Sequence, residues 1–394
     1  MKLAATLLCA LCIASPALAA EHALLVGVSR YPFLKDQDLE GPPNDVELMR
    51  RVLLARHVPE ANIRILAEPP VGKIAPTRQA ILDELSALAA RVSPGDSVYF
   101  HFSGHGSQQP VRGKQKQDEA DDLDEILLPK DEKQWDGRLG TAVNAIVDDE
   151  VGAALGAIRV QGAFVWAVFD SCHAGTVTRG VETDVVYRRV SPDDLGIPAA
   201  AMPRSSADAS GHRGGGDIEK PRLANSMAPS GMVAFFAAKS NESAPEETLP
   251  KGGRKRHGLF TFTLAEALAN APPMSYRQLS DHIRNRYAVI ARPPEPQFEG
   301  DLDAPVWGSK EDRRVWQWRI ERDGNVARIA AGRLQGIGVG AEFALLPGVA
   351  FARDGARLGY GKGFYDRLLA QMTHRPALVA AAFALQIMEQ IPQE

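Results

Sequence analysis

An α/β fold built on a mostly parallel sheet is the class this sequence predicts, and three observations predict it. Short apolar runs recur along the chain, hydrophobic on both faces, as in strands covered by helices on each side. Segments with helical spacing separate them, and such alternation means parallel strands joined by right-handed crossovers. The composition agrees: 394 residues, 45% hydrophobic and 24% charged, are ordinary for a soluble globular protein.

Taken in order, "HALLVGVS" (22–29) is the first predicted strand, followed by "NDVELMRRVLLARH" (44–57), where Val46, Met49, Leu53 and Leu54 keep helical spacing. "NIRILA" (62–67) reads as a strand. "PTRQAILDELSALAARV" (76–92) reads as a helix opened by Pro76 and Thr77. "SVYFHFSG" (97–104) and "EILLP" (125–129) are strands, "VDDEVGAALGAI" (147–158) a helix, and "FVWAVFDS" (164–171) a strand. Residues 180–230, rich in Pro, Ala, Ser and Gly without apolar periodicity, read as a flexible linker. Order returns with a strand at 232–240 and helices at 259–270 and 276–291. The basic run "KGGRKRHG" (251–258) reads as solvated surface. The domain ends in an extended stretch near 305, and residues 306–345 suggest a small β extension.

The first nineteen residues stand apart. Lys2 supplies a positive start, Leu3 to Ile13 a short apolar core, and Ala17-Leu18-Ala19 a cleavage site, so they read as a secretory signal peptide cut near Ala19. The expected product is exported, periplasmic or extracellular. A net charge of −4 gives no reason to expect nucleic acid or an anionic membrane as partner. Cys9 and Cys12 leave with the signal peptide, so Cys172 is the only thiol expected in the mature chain and has no disulfide partner within it.

Cys172 and His105 each follow a predicted strand directly, at the strand ends where open parallel sheets bind ligands. Adjacent strands would make them one site: an imidazole promotes the thiolate, and the thiolate is the nucleophile. Gly104 and Gly106 let the backbone bend there, and the N–H groups of Gly106 and Cys172 suit an oxyanion hole. The alternative is that His105 merely ends a strand, since His101 and His173 lie nearby. His101 suits a packing face, and His173 is too near Cys172 in sequence to serve as its base.

The segments "LEGPPNDVELMRRVL", "FHFSGHGSQ", "DEADDLDEILLPKD", "NAIVDDE" and "VFDSCHAGT" resemble bacterial metacaspase-like members of the caspase peptidase clan, over about residues 22–300. The resemblance implies a caspase-like three-layer sandwich and a Cys172–His105 dyad. It also implies peptide or protein substrates cut after Arg or Lys, through a pocket of Asp45 and Asp170 with Ser103 beside them. Paired carboxylates favour a guanidinium; Asp45 also suits a helix cap. Pro42 stands where many relatives carry a second cysteine. Family calcium sites use acids such as Asp148 and Asp149 with an acid of the 118–125 loop. Arg179, where a further acid is usual, opposes Ca²⁺, so no cofactor is required on this reading. Arg179, Arg188 and Arg189, placed in the linker and expected to be exposed, are candidate self-cleavage points.

From about 346 the text resembles the C-terminal part of 5-formyltetrahydrofolate cyclo-ligase, through "LPGVAF" and "GYGKGFYDR". That resemblance implies Mg-ATP phosphate binding by Gly361, Lys362, Gly363, Tyr365, Asp366 and Arg367. Only about fifty residues of that family are present, far short of a domain of ~100–150 residues, so a vestigial, chimeric tail is expected. An exported Cys–His endopeptidase is therefore the leading function. A catalytically silent caspase-like binding module and an ATP-dependent cyclo-ligase are its competitors.

Overall fold

A computed structural model describes residues 19–111, 122–172, 185–203, 230–239, 242–269, 274–288, 290 and 294–308, and seven short strands beyond 319. The chain divides into two units, Met1–Gly308 and Ser309–Glu394.

The first unit begins β1 (Glu21–Gly27), α1 (Gly41–Ala55), β2 (Ile63–Ala67), α2 (Arg78–Arg91), β3 (Ser97–Ser103), β4 (Gly106–Pro110) and β5 (Leu123–Leu127). It continues β6 (Lys133–Asp136), β7 (Thr141–Val143), β8 (Ile146–Val147), α3 (Asp148–Val160), β9 (Phe164–Asp170) and β10 (Val186–Tyr187). It closes with β11 (Met232–Phe236), β12 (Pro245–Thr248), β13 (Arg256–Gly258), α4 (Leu259–Ala269), α5 (Tyr276–Tyr287) and β14 (Gln297–Gly300). Six strands form the central sheet in the order β14-β11-β9-β3-β1-β2; all pairs are parallel except β14 with β11.

The period of two within each strand explains the three layers. Val98, Phe100 and Phe102 of β3, with Val165, Ala167 and Phe169 of β9, face Ile81, Leu85 and Leu88 of α2 and Val151, Leu155 and Ile158 of α3. Tyr99, Trp166, Val168, Val233 and Phe235 point the other way, onto Met49 and Leu53 of α1, Leu264 and Leu268 of α4, and Leu279 and Ile283 of α5. Each large aliphatic or aromatic side chain so buried contributes about 1.5–3 kcal/mol. The fold is the caspase-like α/β sandwich expected from the sequence.

Helix entries follow local chemistry. Thr77 caps α2, its hydroxyl accepting from the Ala80 amide at 3.3 Å. Ser275 and Gln278 form a capping box at the start of α5. Pro42 and Pro43 stand in the first turn of α1, where no helical hydrogen bond needs their missing N–H.

Two expectations need correction. The "EILLP" run does not join the main sheet: β5 pairs antiparallel with β4 and β8 in a separate three-stranded sheet, because β4 turns back directly from β3. Part of the supposed linker is also built in. Val190, Leu195 and Ile197 are buried in the hydrophobic core, so residues 185–203 pack despite their irregular composition.

The second unit contains an antiparallel hairpin of β15 (Ile320–Asp323) and β16 (Val326–Ile329). β17 (Phe343–Leu345) runs parallel to β20 (Ala377–Val379). β18 (Ala350–Ala352) lies between β19 (Arg357–Leu358) and β21 (Ile387–Met388).

Candidate active site

The order β2-β1-β3 reverses the winding of the sheet at β1, and a crevice for ligands opens at such a reversal. β3 and β9 are paired in register so that Ser103 lies opposite Asp170. His105 and Cys172 therefore each stand two residues beyond a matched pair, at one edge of the sheet. Gly106 lies so close to the Cys172 carbonyl that a Cβ there would collide with it, which requires glycine at this position.

His105 is held from the loop after β1, whose role the sequence did not disclose. Its amide donates to the Tyr31 hydroxyl at 2.7 Å, and the two rings lie 4.8 Å apart. Its Nε2 stands 2.8 Å from the Gln37 carbonyl. A carbonyl only accepts, so Nε2 carries the proton and Nδ1, which has no hydrogen-bond partner, keeps a free lone pair. Burial first of all drives the His105 pKa down to about 4. Burial likewise pushes the Cys172 thiol up to about 12, while its Sγ accepts from the Ala244 amide at 2.7 Å. Both groups are neutral at pH 7 in this closed arrangement.

Beside them lies a buried acid pocket. Asp45 is not a cap of α1, which begins four residues earlier at Gly41; its carboxylate turns away from the helix end. Oδ2 of Asp45 accepts from the Ser103 hydroxyl at 2.9 Å, and Oδ1 lies 3.0 Å from Nδ1 of His257. The Gly258 amide donates to both oxygens. Oδ2 of Asp170 accepts from the Thr261 amide and hydroxyl at 2.9 and 2.6 Å. Glu246, from β12, is the third carboxylate. It and His257 were missed because neither stands in an apolar or catalytic pattern, and His257 sat in a run read as solvated surface. That reading fails for its end, since His257 is buried.

The pocket is filled from within the chain. Arg188, expected to be exposed, is 0% accessible. Its Nη2 lies 2.6 Å from Asp45 and 3.2 Å from Glu246. Nη1 lies 2.9 Å from the Ser103 hydroxyl and 3.2 Å from Asp170. The cation justifies three buried anions, since an isolated charge there would be far too costly. Burial pushes the Asp45 carboxyl up, but Arg188 and His257 outweigh it and hold the group below the usual carboxylate range. Asp170 is raised, by burial and by Asp45 against the pull of Arg188. The Arg188 carbonyl meanwhile accepts from the Cys172 amide at 3.1 Å and the Gly106 amide at 3.3 Å.

His101 is buried in this same region, 3.0 Å from the Tyr99 hydroxyl and 3.3 Å from that of Thr261. Asp148 and Asp149 open α3, away from these groups, and burial, then Asp149, raises the Asp148 pKa to about 7. No group of three or more ligating side chains in position to hold a metal occurs among the described residues. Residues 1–18 of the segment expected to be a signal peptide, His173, Arg179, the 118–121 acids and Gly361, Lys362, Gly363, Tyr365, Asp366 and Arg367 lie outside the described residues. No helix of the described residues is long and apolar enough to cross a membrane.

Comparison with known proteins finds likenesses to two families. Residues 21–179 match the family model for the metacaspase peptidase C14 domain, and residues 332–394 match that of the 5-formyltetrahydrofolate cyclo-ligase family. The second match begins inside the segment expected to be a β extension. Metacaspase-1B of Neurospora crassa is 28% identical over 67% of this chain and 62% of its own length. Metacaspase-2 of Arabidopsis thaliana is 30% identical over 67% of this chain and 56% of its own, so this chain spans about three fifths of these relatives. A crystal structure of a Geobacter sulfurreducens protein is similar at 21% identity and a TM-score of 0.46, over 71% of this chain and 93% of that one. The match to the metacaspase peptidase C14 domain thus runs from Glu21 through the strand that delivers Cys172.

Proposed function

We propose that the protein is a cysteine endopeptidase that cleaves after arginine or lysine, and that the bond between Arg188 and Arg189 is one it cuts in itself. One observation carries the reading: Arg188 places its guanidinium among Asp45, Asp170 and Ser103 while its carbonyl accepts from the Gly106 and Cys172 amides. A substrate's specificity residue and scissile carbonyl need that pair of positions together. The N-terminal segment adds the proposal that the enzyme works after export.

The chemistry follows from the residues present. Nδ1 of His105 takes the Cys172 proton as Sγ attacks the carbonyl carbon, and the resulting oxyanion is held by the two amides. Collapse breaks the C–N bond, and the imidazolium returns its proton to the departing amine. Water then attacks the thioester with His105 as base, releasing the new carboxylate and restoring the thiol. The Gln37 carbonyl stabilises the imidazolium by holding Nε2–H throughout. Buried and neutral, the pair is at rest in the closed state, and admitting solvent or substrate moves both pKa values towards each other.

The test is hydrolysis of fluorogenic peptides ending in Arg, Lys or Asp by wild-type and Cys172→Ala protein, with the wild type sequenced after incubation. Cleavage after Arg or Lys, lost in Cys172→Ala, with a new N-terminus at Arg189, is the expected result. Cleavage after Asp would refute the pocket assignment, and a folded protein inert on every peptide would favour a silent binding module.

A further inference from the structure

We infer that Glu246 makes the pocket selective for arginine over lysine, by completing one arm of a fork-shaped slot. This deepens the peptidase reading and rests on it for its meaning. Around Arg188 the two terminal nitrogens of the guanidinium have separate partners. Nη1 meets the Ser103 hydroxyl at 2.9 Å, the Asp170 carbonyl at 3.2 Å and the Asp170 carboxylate at 3.2 Å. Nη2 meets Asp45 at 2.6 Å and Glu246 at 3.2 Å.

Each arm also borders a glycine. A Cβ at Gly258 would strike Asp170 and Nη1, and a Cβ at Gly41 would strike Glu246 and Nη2. The slot thus has room for a flat, two-pronged cation and for little else. A lysine ammonium is a single centre, placed about where the guanidinium carbon lies and roughly one bond length short of either prong. It cannot satisfy both arms. Asp45 and Asp170 attract any cation, whereas Glu246 engages only the second proton of Nη2. The carboxylate is itself aimed: Oε1 accepts from the Glu40 amide at 3.1 Å and faces Arg256 at 3.5 Å, which leaves Oε2 for the occupant.

Two measurements test this, and only one requires turnover. In the Cys172→Ala protein, whose pocket holds Arg188 as an uncut ligand, thermal unfolding is followed for Arg188→Lys, Glu246→Gln and the double variant. Arg188→Lys should lower Tm by about 2–4 °C or more with Glu246 present, and clearly less with Gln at 246. Equal losses in both backgrounds would overturn the proposal. Among active chains, the kcat/KM ratio of Arg to Lys peptides should be about tenfold or more and should fall towards unity in Glu246→Gln, through loss on the Arg peptide. An unchanged ratio would overturn it too. Absence of all cleavage would count against the peptidase reading while the melting cycle still decides the role of Glu246.

Discussion

His105 is held by Tyr31 through its amide and ring and by Gln37 through Nε2, and three predictions concern it. Replacing it with Asn removes the acid and base, so kcat should drop by about 10²–10⁴-fold with KM little changed, measured on the Arg peptide. Tyr31→Phe removes the acceptor of the His105 amide and should cost about 1 kcal/mol of stability, with a smaller loss of kcat. The third concerns acid. The folded pKa of about 4 lies below the unfolded value near 6.5, so between these the unfolded chain binds the proton and stability falls as pH falls. By pH 5 this amounts to about 2 kcal/mol, which His105→Asn should lack when denaturation midpoints at pH 7 and 5 are compared. At this scale the placing of His105 and Cys172 at one edge of the sheet was legible in the sequence, because each directly follows an apolar strand. Tyr31, Gln37, Glu246 and His257 were not legible: they act through folding of distant loops, and no periodicity or motif marks them. Arg188 was noticed, but read as exposed, since composition says nothing about one charged side chain finding three acids.

Secondary structure was far more readable than pairing. The helices beginning near 44, 76 and 147 were found because apolar spacing and caps are local, and Thr77 caps α2 as its sequence context predicts. The fate of β5 was not found, because an apolar run cannot state which partner it pairs with. The element that matters most for the site is the β12–β13 hairpin, which pairs with β10 on one side and brings Glu246, His257 and Gly258 to Asp45. Gly258 ends that hairpin where no side chain fits between Asp170 and Arg188. Gly258→Ala should therefore expel Arg188 without disturbing the sheet. The expected outcome is a large rise in KM for Arg peptides with the hydrophobic core intact, and a Tm lowered by several degrees, checked by kinetics beside a melting curve. Asp45→Asn should do more damage, because it leaves Arg188 buried with one partner fewer; breaking such a pair typically costs about 3–5 kcal/mol.

At the scale of the molecule, the site is assembled from segments on both sides of the bond proposed to be cut. Asp45, Ser103, His105, Asp170 and Cys172 precede Arg188, whereas Ala244, Glu246, His257 and Thr261 follow it. The two parts are joined through the centre of the sheet, where β11 pairs in parallel with β9 from Met232 opposite Val165 to Phe236 opposite Phe169. Val233 and Phe235 pack with Trp166 and Val168 on one face, Ala234 and Phe236 with Phe169 on the other. Residues on the far side of the bond are held as well: the Val190 amide donates to the Gly106 carbonyl at 3.1 Å, and the Ser107 hydroxyl to the Val190 carbonyl at 2.7 Å. Cutting the one bond after Arg188 removes none of these contacts, and burial of this extent keeps fragments together without a covalent link. Cleaved protein should therefore migrate as two bands under denaturing conditions yet elute from a sizing column at the position of the uncut chain, still active. Separation into two inactive species on that column would show that the Arg188 region, and not the β9–β11 pairing, holds the halves together.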